Sequence, residues 1–119
     1  MATPTLTTAE RNAAANAVVD LCDQGTGNPE LRFGNTGLAA VYLTVQLDGT
    51  NAFGNASNGV CTITGTPSGT ASATGTATDF GYFDRDGTAL RSGVLDSPIS
   101  LTSGNTYQLT TATYIQPAS

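Results

Sequence analysis

The 119-residue chain has no histidine, no lysine and no tryptophan. Its only cations are Arg11, Arg32, Arg85 and Arg91, and charged residues make up 11% of the chain. An ordinary globular chain carries about 25%. Each absence excludes chemistry. Without histidine there is no imidazole base and no imidazole metal ligand. Without lysine there is no Schiff-base amine and no phosphate-loop lysine. Four scattered cations against nine acids, for a net charge of −5, do not neutralise a run of phosphates, so nucleic acid is not an expected partner. The longest apolar runs fall far short of the ~18 residues of a membrane span. Residues 1–8 hold neither a basic region nor an apolar core of the kind that marks a secretory signal. The expectation is a protein made in the cytoplasm, with Cys22 and Cys61 reduced, small and buried. Two cysteines with no histidine and no Cys-x-x-Cys spacing do not make a zinc site.

Threonine, alanine and glycine are abundant instead, at 21, 16 and 14 residues. At this length the chain is one domain, residues 1–119, with a modest core. Plentiful Thr, Val and Ile in alternation argue for order rather than disorder. Residues 1–8, with Pro4, read as an extended, exposed arm apt to order on a partner.

Residues 7–23 predict the single helix. Thr7 and Glu10 form a capping box, Ala13–Ala15 favour helix, and Gly25 supplies a stop. Ala14, Ala17, Val18, Leu21 and Cys22 mark the expected apolar face, with Asn12, Asn16, Asp20 and Asp23 mostly opposite. The period then changes to two. Strands are expected at 30–33, 38–48, 60–64, 71–83, 88–95, 99–102 and 106–115. Over 71–83 the alternation places Thr74, Thr76, Thr78, Phe80 and Tyr82 on one face. Turns are expected at 34–37, 65–69, 84–87 and 103–105. About seven strands of this spacing predict a mainly β protein: an antiparallel sandwich or barrel-like fold over 30–115 with one N-terminal helix.

Candidate chemistry is sparse. Asp84-Arg85-Asp86-Gly87 has the look of a calcium loop, but no acid follows within 88–95 to complete the oxygen ligands, so a hairpin turn is the stronger reading. Asp79 with Asp84 or Asp86 is a conceivable carboxylate pair for glycoside chemistry, without the Trp platforms that accompany it. Serine and threonine nucleophiles have no histidine or lysine to activate them. The expectation is no enzyme, no cofactor and no metal. Tyrosines and arginines are favoured at protein interfaces, so the candidate partner-facing residues are Arg11, Arg32, Tyr42, Phe53, Tyr82, Arg85, Arg91, Tyr107 and Tyr114.

Several motifs resemble, in the same order, a family of small tailed-phage and prophage virion structural proteins. They are Arg11-Asn-Ala-Ala leading to Ala17-Val-Val-Asp20, then Asn51-Ala-Phe-Gly-Asn-Ala-Ser-Asn-Gly59, Ala73-Thr-Gly-Thr-Ala-Thr78 leading to Asp84-Arg-Asp-Gly87, and the stretch 99–106. The chain departs from the pattern around 28–40 and at 79–82. The resemblance implies a virion component without enzymatic activity. Head decoration (cement) protein is the first expectation. Its partners would be the major capsid protein and copies of itself, commonly as a trimer. A tail or baseplate component is the alternative, and a fibre-type sandwich binding a receptor or glycan is the other.

Overall fold

The computed structural model describes residues 5–109 and 112–116. The first helix, α1, runs Thr8–Asp20 and begins at the predicted capping box. Thr7 Oγ1 accepts the Glu10 N–H at 3.2 Å, and Glu10 Oε1 accepts the Thr7 N–H at 3.0 Å. A 3-10 turn, Leu21–Asp23, closes it, and Gly25 follows with φ +105°. Half of the expected arm at 1–8, residues 1–4, lies outside the described residues. Thr7 and Thr8 already belong to the helix and its cap.

The helix and its closing turn bury the predicted face only in part, at Cys22. Ala15, Val19 and Cys22 point into the core, whereas Ala17 is exposed and Leu21 is 42% exposed. The helix is rolled because Asn12 and Asn16 also turn inward. Their side-chain oxygens accept the N–H groups of Gly59 (2.7 Å) and Ala56 (2.8 Å). Buried amides outside regular structure need acceptors, so two carboxamides take a place that hydrophobicity alone assigns to alkyl groups.

Among the described residues eight antiparallel strands follow: β1 Glu30–Gly34, β2 Val41–Gln46, β3 Val60–Thr62, β4 Ser68–Thr70, β5 Gly75–Phe83, β6 Ala89–Leu101, β7 Thr106–Gln108 and β8 Thr113–Ile115. A four-stranded sheet has the order β2-β1-β5-β6, and two ribbons pair β3 with β8 and β4 with β7. The fold is therefore mainly β with one N-terminal helix, and its sheets do not close into a barrel.

The register explains the core. Leu31 lies opposite Val45 and Tyr82, and Phe33 opposite Leu43 and Phe80. One face of the sheet therefore carries an apolar layer, joined by Phe53, Ile63, Ala71, Ala77 and Leu101. Residues of α1, β3 and the 52–53 loop belong to the same buried cluster, with Tyr107 of β7 and Tyr114 of β8 packed against it.

Four differences from the sequence reading have local causes. The 71–83 alternation does not hold along one face. Between the pairs Ala77↔Ile99 and Asp79↔Val94, only Thr78 of β5 faces four residues of β6, which include Pro98. That bulge switches the inward set from Ala77 to Phe80 and Tyr82. The expected 88–95 and 99–102 strands are joined through it into one strand. The expected 106–115 strand is two strands paired with different partners, and the Gly-Pro break at 65–69 hides β4, whose Gly69 lies opposite Tyr107. Gly69 has no side chain because the Thr44 carbonyl occupies the space a Cβ would need.

Candidate interaction surface

The loops with chemical character fold into turns. Asp84 Oδ1 accepts the N–H groups of Asp86 (3.0 Å) and Thr88 (2.9 Å), and its carbonyl accepts the Gly87 N–H at 3.0 Å. The carboxylate thus organises the hairpin. Asp79 is divided between the Gly37 N–H and the Thr78 hydroxyl, both at 2.9 Å. Among the described residues no cluster of three potential metal-ligating side chains occurs. Cys22 and Cys61 are buried free thiols. Burial pushes both up from the ordinary thiol range, and the Arg91 charge partly offsets this at Cys22.

The nine candidate partner-facing residues are placed as follows. Phe53 and Tyr82 are core residues with ring centroids 5.6 Å apart. Tyr107 and Tyr114 pack on the core edge: the Tyr107 hydroxyl accepts the Thr102 N–H at 2.8 Å, and the Tyr114 hydroxyl donates to Gln116 at 3.0 Å. Tyr42 is half-buried, its ring against Gly75. All four arginines are engaged within the chain. Arg11 donates twice to the Gln116 carbonyl, at 3.2 and 3.0 Å. Arg32 pairs with Glu30 at 2.7 Å and lies 3.9 Å over the Phe83 ring. Arg85 donates to the Thr50 carbonyl at 3.1 Å and sits 3.7 Å from the Asp23 carboxylate. Arg91 lies over the rings of Tyr82 (4.8 Å), Tyr114 (4.9 Å) and Phe53 (5.7 Å). Arg85 Nε and Arg91 Nη2 are buried without a hydrogen-bond acceptor among the described residues. These cations hold loops and chain ends to the core, which scattered positions in the sequence do not reveal.

The same holds for the motif loop 51–59. Asp23 accepts the Ala52 N–H at 3.0 Å, Asn16 that of Ala56 and Asn12 that of Gly59. Ala52 and Phe53 are buried. The loop is pinned along its length by one helix, its following turn and one arginine.

What stays open is the outer face of the four-stranded sheet. There Leu38, at φ 57°, crosses above Gly81, close enough that a Cβ on that glycine would sit 2.8 Å from Leu38 Cδ1. A leucine in the left-handed region is strained, and such strain persists only where its surroundings hold it. Here the Asp79 carboxylate fixes the neighbouring Gly37 N–H. Two hollows of about 260 and 340 Å³ flank Leu38, and both reach Ser92 on β6. No family model, curated protein or solved structure matches this chain.

Proposed function

We propose that this chain is a virion structural protein of a tailed phage or prophage, and that it decorates the outside of the head, stabilising it by protein–protein contacts. Its partners are then the major capsid protein and copies of itself, and its site of action is the virion surface after synthesis in the host cytoplasm. One observation carries the reading: the motifs that resemble the phage family touch one another. The Arg11-Asn-Ala-Ala segment and Asn16 grip the 51–59 loop, and Arg85 of the Asp-Arg-Asp-Gly hairpin reaches Thr50 and Asp23 beside it. A likeness scattered along the sequence thus gathers into one structural unit, as a shared frame would.

The surface chemistry agrees with this role. The solvated strand faces are rich in Thr, Ser, Ala and Gly, which are less costly to desolvate than charges. The four arginines are engaged internally, which leaves no basic stripe for nucleic acid. No described helix is long and apolar enough to cross a membrane. The test is location: purified virions are separated into heads and tails and the protein is quantified in each by mass spectrometry. Copies spread across the head support decoration. Copies confined to the tail would replace it with the tail or baseplate role, and binding to isolated glycans or host cells with the fibre-type role.

A further inference from the structure

We propose that Asn58-Gly59 is a site of spontaneous covalent modification, at which the Asn58 side-chain amide is exchanged for a carboxylate through a cyclic imide, and that Asn12 is the positioning residue that sets its rate. These two residues are the chain's only Asn-Gly pair. Asparagine is a thermally labile residue, and a following glycine leaves its own backbone nitrogen unhindered for attack on the side chain. Asn58 is exposed and Gly59 is buried. Water reaches the amide, while the protein surrounds the nitrogen that attacks it.

The fold imposes this pair. Ser57 and Val60 exchange both backbone hydrogen bonds, at 2.9 and 3.0 Å, around a two-residue turn. Asn58 has φ 52° and Gly59 φ 76°, the left-handed pair of a type I′ hairpin turn, for which Asn-Gly is the strongest sequence choice. A second constraint also requires glycine: a Cβ at residue 59 would meet the Arg11 guanidinium at 2.8 Å. The labile pair is held shut instead of being replaced. The Gly59 N–H donates to Asn12 Oδ1 at 2.7 Å, and the Gly59 carbonyl accepts the Gln116 N–H at 2.9 Å.

The step is a substitution at a carbonyl carbon. The Gly59 nitrogen loses its proton to solvent, and its electron pair forms a bond to Asn58 Cγ. The Cγ–Nδ2 bond breaks, and that nitrogen takes up a proton and leaves as ammonia. Water then opens the five-membered imide at either carbonyl, giving aspartate or, with one more methylene in the main chain, isoaspartate. One water is consumed and one ammonia released, with no change of oxidation state. Asn12 opposes the first event in two ways. Its carboxamide oxygen binds the proton that must leave but is too weak a base to remove it. It also ties residue 59 into the I′ turn, and ring closure requires Asn58 to rotate out of that geometry. The product then loosens the fold, because isoaspartate lengthens the main chain directly before β3, whose Val60 pairs with Ile115 of β8.

The test keeps the full chain in warm neutral buffer made with heavy-oxygen water. Mass spectrometry of the peptide bearing residue 58 reads the change from amide to acid and the oxygen incorporated. The chain unfolded in urea is the unguarded reference, and the native parent should convert far more slowly. N12A should convert about fivefold faster than the parent, the ratio set by one hydrogen bond of ordinary strength. N12D keeps an acceptor oxygen and stays near the parent. N16A loses the bond to Ala56 of the same loop but not the one to Gly59, and it too stays near the parent. N58Q, which would have to close a larger ring, stays unmodified over the same period. An intact Asn58 in the unfolded chain, N12A no faster than the parent, or N16A as fast as N12A would overturn the proposal. The virion reading is tested separately, since location in the particle does not depend on this chemistry.

Discussion

Asn16→Ala isolates the clasp that rolls the helix. Asn16 Oδ1 accepts the Ala56 N–H at 2.8 Å and receives the Cys61 thiol at 3.8 Å. Truncation leaves a partly buried amide with no acceptor, which costs about 1–3 kcal/mol. Against this, alanine is the better helix former, by up to about 0.7 kcal/mol. The lost acceptor wins, and the net destabilisation is about 1–2 kcal/mol. For a domain of this size that lowers the melting temperature by about 4–8 °C. Urea unfolding followed by circular dichroism reads it as a lower midpoint with an unchanged slope, since no other surface is exposed. Native-state hydrogen exchange should speed up at the Ala56 amide in particular. Asn16→Asp keeps the acceptor oxygen and retains most of the exchange protection. If N16A is as stable as the parent, helix propensity decides the energetics and the clasp is incidental.

Arg91→Ala removes a side chain packed under three rings and should cost about 2–4 kcal/mol, while Arg91→Met fills the space without an unpaired donor and should cost less than about 1.5 kcal/mol; equal losses in denaturation would show that the charge, not the packing, matters. Cys22 and Tyr82 both hold their protons more tightly when folded, because burial disfavours thiolate and phenolate. Their contribution is complete below the ordinary thiol range and is lost as pH climbs, so melting temperature should be level to about pH 8 and fall once pH rises past about 8.5, with Tyr82 adding its loss only above about pH 10; a flat or rising curve contradicts this. Gly34→Ala drives a Cβ into the Ala40 carbonyl at the start of the Asn35–Ala40 turn and should cost about 2–3 kcal/mol or abolish folding, read by the yield of soluble protein and its urea midpoint.

The parts of this fold legible in sequence are those governed by local chemistry. The Thr7/Glu10 capping box, the β1–β2 alternation and the Asp84–Gly87 hairpin each depend on residues a few positions apart, and each is present. The helix face was not legible, because its orientation depends on amides 40 and 47 residues away from Asn16 and Asn12. The β5 face was not legible either. Its switch is caused by extra residues in β6, and a bulge in one strand leaves no mark on the periodicity of its neighbour. Nor was β4, since Ser68-Gly-Thr70 has turn composition and is a strand only because β7 and β2 lie alongside it. Phe53 and Tyr82 read as interface aromatics by residue type, yet the same apolar bodies close the core.

The arginines decide what kind of partner surface remains. Arg11 and Arg85 donate to backbone carbonyls outside the helix and strands, those of Gln116 and of Thr50 with Gly27, and Arg91 donates to that of Val18 in the last turn of α1. A chain with long loops and a modest core has many such carbonyls to satisfy, and a guanidinium reaches several from one position. Using its cations in this way leaves the protein's outward formal charge dominated by acids. Copies or partners with acidic faces are therefore held off everywhere except where charge is absent, while a basic or neutral face is accepted. Even the outer sheet face around Leu38 carries an acid, since Asp79 lines one of its hollows, with Arg32 lining the other. Contact with a basic partner on the acidic surface should therefore weaken as salt is added.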